Sequence, residues 1–386
     1  MAKFERQDII IRTMASGDKL TIPVWKFSGE QPGYKVYIQA NIHGPEIAGI
    51  GACRELINVL MKEEICGSVV VVPTANPCGL NSKINNLQIG YTDLNDSAVG
   101  NFNREYKLLV KDQKGSCDGK SGLIDLDGFI EKYSESDLDV IVSQFEQELF
   151  GSLENVKIKD GRNGLRYGLK LALTLQQLAL DSNFVIDLHT GEKAVHFCYT
   201  FNECFESAKY FNIGSFIELA DEFEGVFDEA FLLPWIRLHR KLKKAGKEFA
   251  FSKFNKEAFT LELGSGDRIN SISMKEDAAR LVNFLRCKGV LKGSGEKMLS
   301  KYVKCKHEDL CSYYSPTGGL ILWQKKVGDW VKEGEVLAYL IQPGKEDQSE
   351  IPVKAKDNGL INNMAPTHVV HEGMHLCSIM SKTCEI

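Results

Sequence analysis

The stretch Ser68-Val69-Val70-Val71-Val72-Pro73 constrains the fold more than any other. A continuous β-branched run with no polar alternation suits a strand buried on both faces. Such strands belong to sheets covered by helices. Upstream, residues 46–62 place Ile47, Ile50, Leu56, Ile57 and Leu60 at helical spacing, and Gly67 closes that unit. Before it, Tyr34-Lys35-Val36-Tyr37-Ile38-Gln39-Ala40 reads as a strand. The order strand, helix, strand predicts an α/β fold whose sheet is mixed, mostly parallel and flanked by helices.

The remaining segments extend this pattern. Residues 8–28 read as two short strands around a Gly17-Asp18 turn. Residues 74–105 are rich in Asn, Gly and Pro and are expected to be loop. Residues 106–163 are charged, and we expect a helical and loop insertion on the surface. Residues 165–180 form an amphipathic helix feeding the strand Phe184-Val185-Ile186-Asp187-Leu188-His189-Thr190-Gly191. A helical region over about 213–245, a strand over 258–263 and a helix over 275–288 follow. Beyond about residue 300 the character changes to short strands between Gly-containing turns. There, Gly319-Leu320-Ile321 through Leu337 has a rough echo in Gly359-Leu360-Ile361 through Leu376. That two-fold repeat predicts a small pseudo-symmetric β-sandwich. With 386 residues, two domains are expected: 1–300, with 106–163 as its insertion, and 301–386.

Chemistry concentrates at strand ends. Asn41-Ile42-His43-Gly44-Pro45-Glu46 follows the first parallel strand, at the end where open α/β sheets bind ligands. His43 and Glu46 on one tight turn can present an imidazole and a carboxylate to one point. A catalytic zinc usually takes three protein ligands and keeps one position for water. His189, also at a strand end, is the third candidate, and Asp187 resembles the carboxylates that orient metal-bound imidazoles. Asp187 otherwise reads as a strand-end carboxylate capping a loop. Glu262 is a carboxylate inside the apolar strand Thr260-Leu261-Glu262-Leu263, which is costly unless paired; an internal Arg partner is the plain alternative.

At this point the residues resemble the succinylglutamate desuccinylase/aspartoacylase group of the zinc carboxypeptidase superfamily. The matching blocks are NIHGPEIAG, PTANPCG, NFNRE, DLHTG and TLELGSG, in the family's order across roughly residues 8–295. The resemblance implies a zinc carboxypeptidase-like scaffold holding one Zn2+ per chain on His43, Glu46 and His189. It makes Glu262 the general base and acid, and Asn103 and Arg104 the clamp for a substrate carboxylate, a task suited to a planar guanidinium. A surface pair with Glu105 is the plain alternative for Arg104. Where relatives read Asp-Leu-Asn-Arg, this chain has Asn101-Phe102-Asn103-Arg104, and Asp93-Leu94-Asn95 lies upstream without an Arg. Relatives also carry an Arg in the preceding loop. Here residues 76–103 hold Lys83 as their only cation, so carbonyl polarisation falls to Lys83 or to an Arg from elsewhere.

The tail resembles the barrel-sandwich hybrid of lipoyl and biotinyl carriers but lacks their modified-lysine motifs, which predicts an accessory domain rather than a carrier. His368, His371 and His375 read as exposed loop residues rather than a second metal site. The net charge of −5 argues against a nucleic-acid footprint. No apolar run approaches the ~20 residues of a membrane span, and the amino terminus lacks a signal-peptide core. A cytoplasmic protein is expected, its 11 scattered cysteines buried and reduced. The leading expectation is a deacylase for a small N-acyl amino acid or amine. A carboxypeptidase on short peptides and a non-catalytic binding protein are the alternatives. A homo-oligomer, and a pocket role for Trp235, Arg237 and Arg240, stay open.

Overall fold

The computed structural model describes residues 3–93, 100–111, 123–266, 268–296, 301–346 and 349–385. A hairpin of β1 (Lys3–Thr13) and β2 (Lys19–Ser28) opens the chain. It turns at Gly17, whose φ of +93° favours a residue without Cβ. The expected strand–helix–strand unit follows as β3 (Gln31–Ala40), α1 (Ala48–Leu60) and β4 (Cys66–Val72). The Asn- and Gly-rich stretch holds only a short helix α2 (Pro77–Leu80), a small hairpin of β5 (Lys83–Ile84) and β6 (Leu87–Gln88), and one 3-10 turn at Phe102–Arg104. Next come α3 (Leu126–Tyr133), α4 (Leu138–Asp160), α5 (Tyr167–Ala179) and β7 (Phe184–Gly191). After β8 (Lys193–Ala194), β9 (His196–Thr200), α6 (Phe205–Ala208) and β10 (Ser215–Glu218) come α7 (Phe227–Lys244), β11 (Glu257–Ser265), α8 (Ser271–Cys287) and β12 (Val303–Lys306).

The main sheet has ten strands, in the order β1, β2, β4, β3, β7, β11, β9, β10, β12 and then β21 (Cys384–Glu385) from the tail. Its centre is parallel: β3 pairs with β4 and β7, and β7 with β11. The Val run of β4 and nearly all of β7 are buried, as strands covered on both faces must be. The pleat sorts the faces. α1 lies where a Cβ on Gly49 would meet Ala40 and Leu188. Phe227 of α7 packs on Tyr37, which the alternation turns to the opposite face. Cross-strand register puts Gln39 beside Asp187, Thr260 beside Asp187 and Glu262 beside His189. All five therefore share the face that α7 covers.

Two expectations are corrected. The segment 213–245 is not helical throughout: Ser215–Glu218 is a strand, parallel to both β9 and β12, with Phe216 and Ile217 buried, and the helix starts at Phe227. Within 106–163 the helices are Leu126–Tyr133 and Leu138–Asp160, and they are not simply surface. Ile141, Phe145, Leu149 and Leu153 of α4 repeat every four residues and are buried in the main core, with Phe145 edge-on to Trp235 at 4.9 Å. Residues 112–122, including Cys117, lie outside the described set.

The tail is antiparallel. Its strands are β13 (Leu310–Tyr314), β14 (Gly319–Trp323), β15 (Trp330–Val331), β16 (Val336–Ile341), β17 (Glu350–Lys354), β18 (Gly359–Met364), β19 (Val369–Val370) and β20 (His375–Ser381). The repeat shows in the pairing: β14 takes β19, and β18 takes β15. Each half thus lends its short strand to the other, as a two-fold arrangement requires. The core between the sheets is built from Val331, Leu337, Ile361 and Ile379. β8 joins β18, and β12 and β21 extend the main sheet, so the tail is docked on the edge beyond β10. His368 Nδ1 lies 3.2 Å from the Ile321 carbonyl, and His375, at the start of β20, lies 3.0 Å from Ser378 Oγ. Ten described cysteines are free thiols; Cys384 is exposed. No described helix is long and apolar enough to cross a membrane.

Candidate active site

Three adjacent parallel strands deliver the chemistry at their carboxyl ends: β3 leads to His43, β7 carries His189 and β11 carries Glu262. The turn after β3 is tightly specified. Asn41 sits at φ 65°, and its Nδ2 donates to the carbonyls of His43, Gly44 and Glu46 at 2.9, 3.2 and 3.3 Å. Gly44 is required by close approach, since a Cβ there would lie 2.1 Å from the Gly79 carbonyl oxygen. Asn76 ties this turn to the next loop, donating to the Ile42 carbonyl at 2.8 Å and accepting from Tyr167 at 2.8 Å.

Both histidines point the same ring nitrogen at one carboxylate. His43 Nδ1 is 2.8 Å from Glu46 Oε1, and His189 Nδ1 is 2.9 Å from Glu46 Oε2. The far nitrogens are already engaged: His43 Nε2 with Asn101 Oδ1 at 2.8 Å, His189 Nε2 with Asp187 Oδ2 at 3.0 Å. An amide oxygen and a carboxylate only accept, so each Nε2 donates outward and each Nδ1 faces Glu46, as a donor when the ring is protonated and as a lone pair when it is neutral. Two lone pairs against a carboxylate repel unless a proton or a cation lies among them. This is a donor set that fits a zinc-type ion. All three ligand atoms lie within 4.8 Å of one another, and all three residues are buried. Burial opposes ionisation of Glu46, but the two imidazoles overcome it and hold the carboxyl down at about 2. Burial likewise opposes charge on His189, while Asp187 and Glu46 raise its pKa above the usual imidazole value.

Among the described residues Glu262 forms no ion pair with an Arg. Its Oε2 is buried without a hydrogen bond among the described residues, and burial, reinforced by Glu46 and Asp187, pushes the carboxyl up to about 8. A base near neutrality is what proton transfer at ordinary pH requires. Asp187 is no loop cap: it is fully buried and accepts from Gln39 Nε2 at 3.0 Å. Asn103 Nδ2 lies 3.4 Å from His189 Nε2. Arg104 is half-exposed; its Nη1 donates to the Asn103 carbonyl at 2.8 Å and its Nη2 lies 3.8 Å from Glu224. Glu105 pairs instead with Arg166.

These residues line one cavity of about 210 Å³, joined by Asn101, Tyr199, Glu224, Asp228, Glu229, Thr260 and His307. The sequence-expected ligands, Glu262, Asn103 and Arg104 all border it; Asp187 stands behind His189. Arg104 is the only Lys or Arg among the described lining residues, and neither Lys83 nor Trp235, Arg237 or Arg240 is among them. Asp93 is bound to Arg12 at 2.5 Å, while Leu94 and Asn95 lie outside the described residues. Sequence reasoning missed the partner of His43, although Asn101 opens the very block NFNRE. It also missed Asp228 and Glu229, which open α7 and look like ordinary helix-start acids. His307 belongs to no motif.

Residues 32–287 match the family model described as the succinylglutamate desuccinylase/aspartoacylase catalytic domain. The chain belongs to the succinylglutamate desuccinylase/aspartoacylase family. A family protein of that description from Shewanella amazonensis is 28% identical, with 99% of this chain and 100% of that chain covered at a TM-score of 0.89. One from Shewanella frigidimarina is 25% identical, with 100% and 99% covered and a TM-score of 0.89. The product-bound ectoine utilization protein EutE from Ruegeria pomeroyi is 17% identical over 99% of this chain and 95% of its own, at a TM-score of 0.65, and shares the fold. Curated protein sequences give no match. Family membership makes the chain a relative of deacylases, which are hydrolases by name. The full-length coverage in both Shewanella proteins means that the β-rich tail is part of their architecture too.

Proposed function

We propose that the protein is a zinc-dependent amide hydrolase that deacylates a small N-acyl amino acid or N-acyl amine. The observation that carries this reading is the convergence of two Nδ1 atoms and the Glu46 carboxylate beside Glu262, whose Oε2 has no hydrogen bond among the described residues, in one small cavity. One Zn2+ on His43, Glu46 and His189 would polarise the scissile carbonyl and acidify a water from a pKa of 15.7 to about 7. Asp187 and Asn101 hold the two rings so that Nδ1 faces inward. Glu262 Oε2 takes a proton from the attacking water and returns it to the leaving nitrogen as the amide C–N bond breaks. The acyl carbon thereby gains hydroxyl and the amine gains hydrogen. Arg104, steadied by the Asn103 carbonyl, meets a carboxylate on the amine half, and as the only Lys or Arg among the described lining residues it also supplies a fixed cation for developing negative charge. We read residues 1–300 as the catalytic unit and 301–386 as an accessory unit that is not a carrier.

The cavity volume favours small substrates over peptides, because pockets for drug-sized ligands run to roughly 300–1,000 Å³. The test is metal content and turnover together. About one zinc per chain, with hydrolysis of N-acyl amino acids exceeding that of C-terminal peptide bonds, supports the reading. Preference for peptides moves it to a metallocarboxypeptidase. Failure to take up zinc leaves a binding protein on this scaffold.

A further inference from the structure

The main sheet ends on two very different edges. At one, β21 offers two residues. At the other, β1 runs for 11 residues without a proline, and its bulge lies near the far end, between Ile10 and Arg12. Among the described residues nothing pairs with its outer edge. A long free edge of that kind is a template for another strand. We propose that β1 is a homodimer interface, where the β1 of a second copy pairs antiparallel about a two-fold axis through Gln7. The two main sheets then join into one sheet across the axis. This inference does not depend on the metal site or on the reaction.

The order of residues along β1 selects a second copy over a foreign strand. In this register Arg6 lies opposite the second copy's Asp8, and Phe4 opposite its Ile10. Each contact occurs twice, as a two-fold interface requires. These four residues share one face of the strand, because side chains alternate. The side chains of Arg6 and Asp8 are 49% and 42% exposed, and Phe4 and Ile10 are 53% and 44% exposed. Cross-strand pairs of opposite charge or of apolar residues stabilise a sheet, whereas like charges directly opposite destabilise it. Moving the axis by one residue would set Arg6 on Arg6 or Asp8 on Asp8, so charge fixes the register. On the other face Lys3 meets Ile11 and Glu5 meets Ile9, and no like charges are opposed. Phe4 is already stacked on Trp25 at 5.9 Å, which limits the entropy lost in docking it. The bland account is that charged side chains blunt this edge. Blunting needs charges that repel a copy of themselves, and the order Arg6-Gln7-Asp8 instead matches its own reverse. The Arg6–Asp8 contact within one chain, 2.8 Å on an exposed surface, is weak enough to exchange for the same pair across the axis.

Sedimentation velocity of the full chain tests this from about 1 to about 100 μM, the range in which a small interface dissociates. The parent should form a reversible dimer. Asp8→Arg sets Arg6 against arginine, and Arg6→Asp sets Asp8 against aspartate. Each should raise the dissociation constant at least about tenfold. An equimolar mixture of the two variants should dimerise again, because every charge pair across the axis is then opposite in sign. The double variant R6D/D8R should dimerise like the parent. Recovery in the mixture also excludes misfolding as the cause of the loss in either variant alone. A parent that stays monomeric at about 100 μM overturns the inference. So does a dimer that Asp8→Arg leaves intact, which would place the contact on another face, such as the exposed Leu320, Leu322 and Val369 of the tail. A mixture that fails to re-associate overturns it as well.

Discussion

Asp187 Oδ2 lies 3.0 Å from His189 Nε2, on a residue with no solvent exposure. The contact is possible because both residues sit on one face of β7, two positions apart, and it commits the far side of the ring. Gln39 from β3 then anchors the carboxylate from behind at 3.0 Å. Replacing Asp187 by Asn keeps an acceptor but removes the charge. Such partners typically contribute 10–100-fold to metal affinity, so Asp187→Asn should weaken zinc binding by about that factor in a chelator competition. Unchanged affinity in a folded variant would show that the ring is oriented by other means.

Glu262 makes a different prediction, because it is not among the converging ligands. Glu262→Gln should retain about one zinc per chain and lose roughly 10²–10⁴-fold in kcat. Loss of the metal instead would make Glu262 a ligand. An active variant would remove it from the mechanism.

Glu229 gives a pH dependence of stability. Burial and the nearby Asp228 raise its carboxyl, so the folded chain holds its proton up to about pH 8, whereas the unfolded chain releases it near ~4.3. Between those values the folded state binds more protons, so ionisation drains stability as pH rises. Glu229→Gln lacks this loss and keeps an oxygen for the Glu224 N–H, which Glu229 Oε2 accepts at 2.6 Å. Its stability advantage over the parent in urea melts should therefore grow from pH 5 to pH 8, by on the order of 1–3 kcal/mol. A difference that stays flat across that range would mean that Glu229 ionises normally in the fold.

Asn41 tests the turn itself. Its side chain closes three carbonyls and its backbone is left-handed. Asn41→Ala loses both advantages and should cost about 1–3 kcal/mol, together with zinc affinity. Asn41→Gly restores the backbone freedom only, so thermal melts should place it between parent and Ala variant. If Gly and Ala behave alike, the backbone conformation contributes nothing.

Much of the scaffold was legible because strands β3, β4, β7 and β11 have apolar runs ending at polar turns, and α1, α5 and α8 have helical periodicity. α4 was harder. Its stripe from Ile141 to Leu153 is regular, but charged residues between obscure it, and its burial depends on Trp235 from a distant helix. β9 and β10 escaped because strands of only five and four residues are too short to show a clear period. They exist because the open edge beyond β11 must pair, and β12 completes them. In the site, His43, Glu46, His189 and Glu262 stood out as polar residues at apolar strand ends. Asn101 and His307 carried no comparable signal.

The order of β3, α1, β4, α5, β7, β11 and α8, the strand ends that carry His43 and His189, and the carboxylate of Glu262 inside an apolar strand were determined by the sequence itself. Apolar periodicity and the expense of burying charge are local properties that can be read one residue at a time. Which carboxylates meet in the cavity was decided only by tertiary structure. Asp187, His189, Thr260 and Glu262 share a face through the register of β7 with β11. α7 then brings Asp228 and Glu229 against that face, and the segment after β12 brings His307. Register and helix docking minimise the energy of the whole sheet, so no single stretch of sequence specifies them.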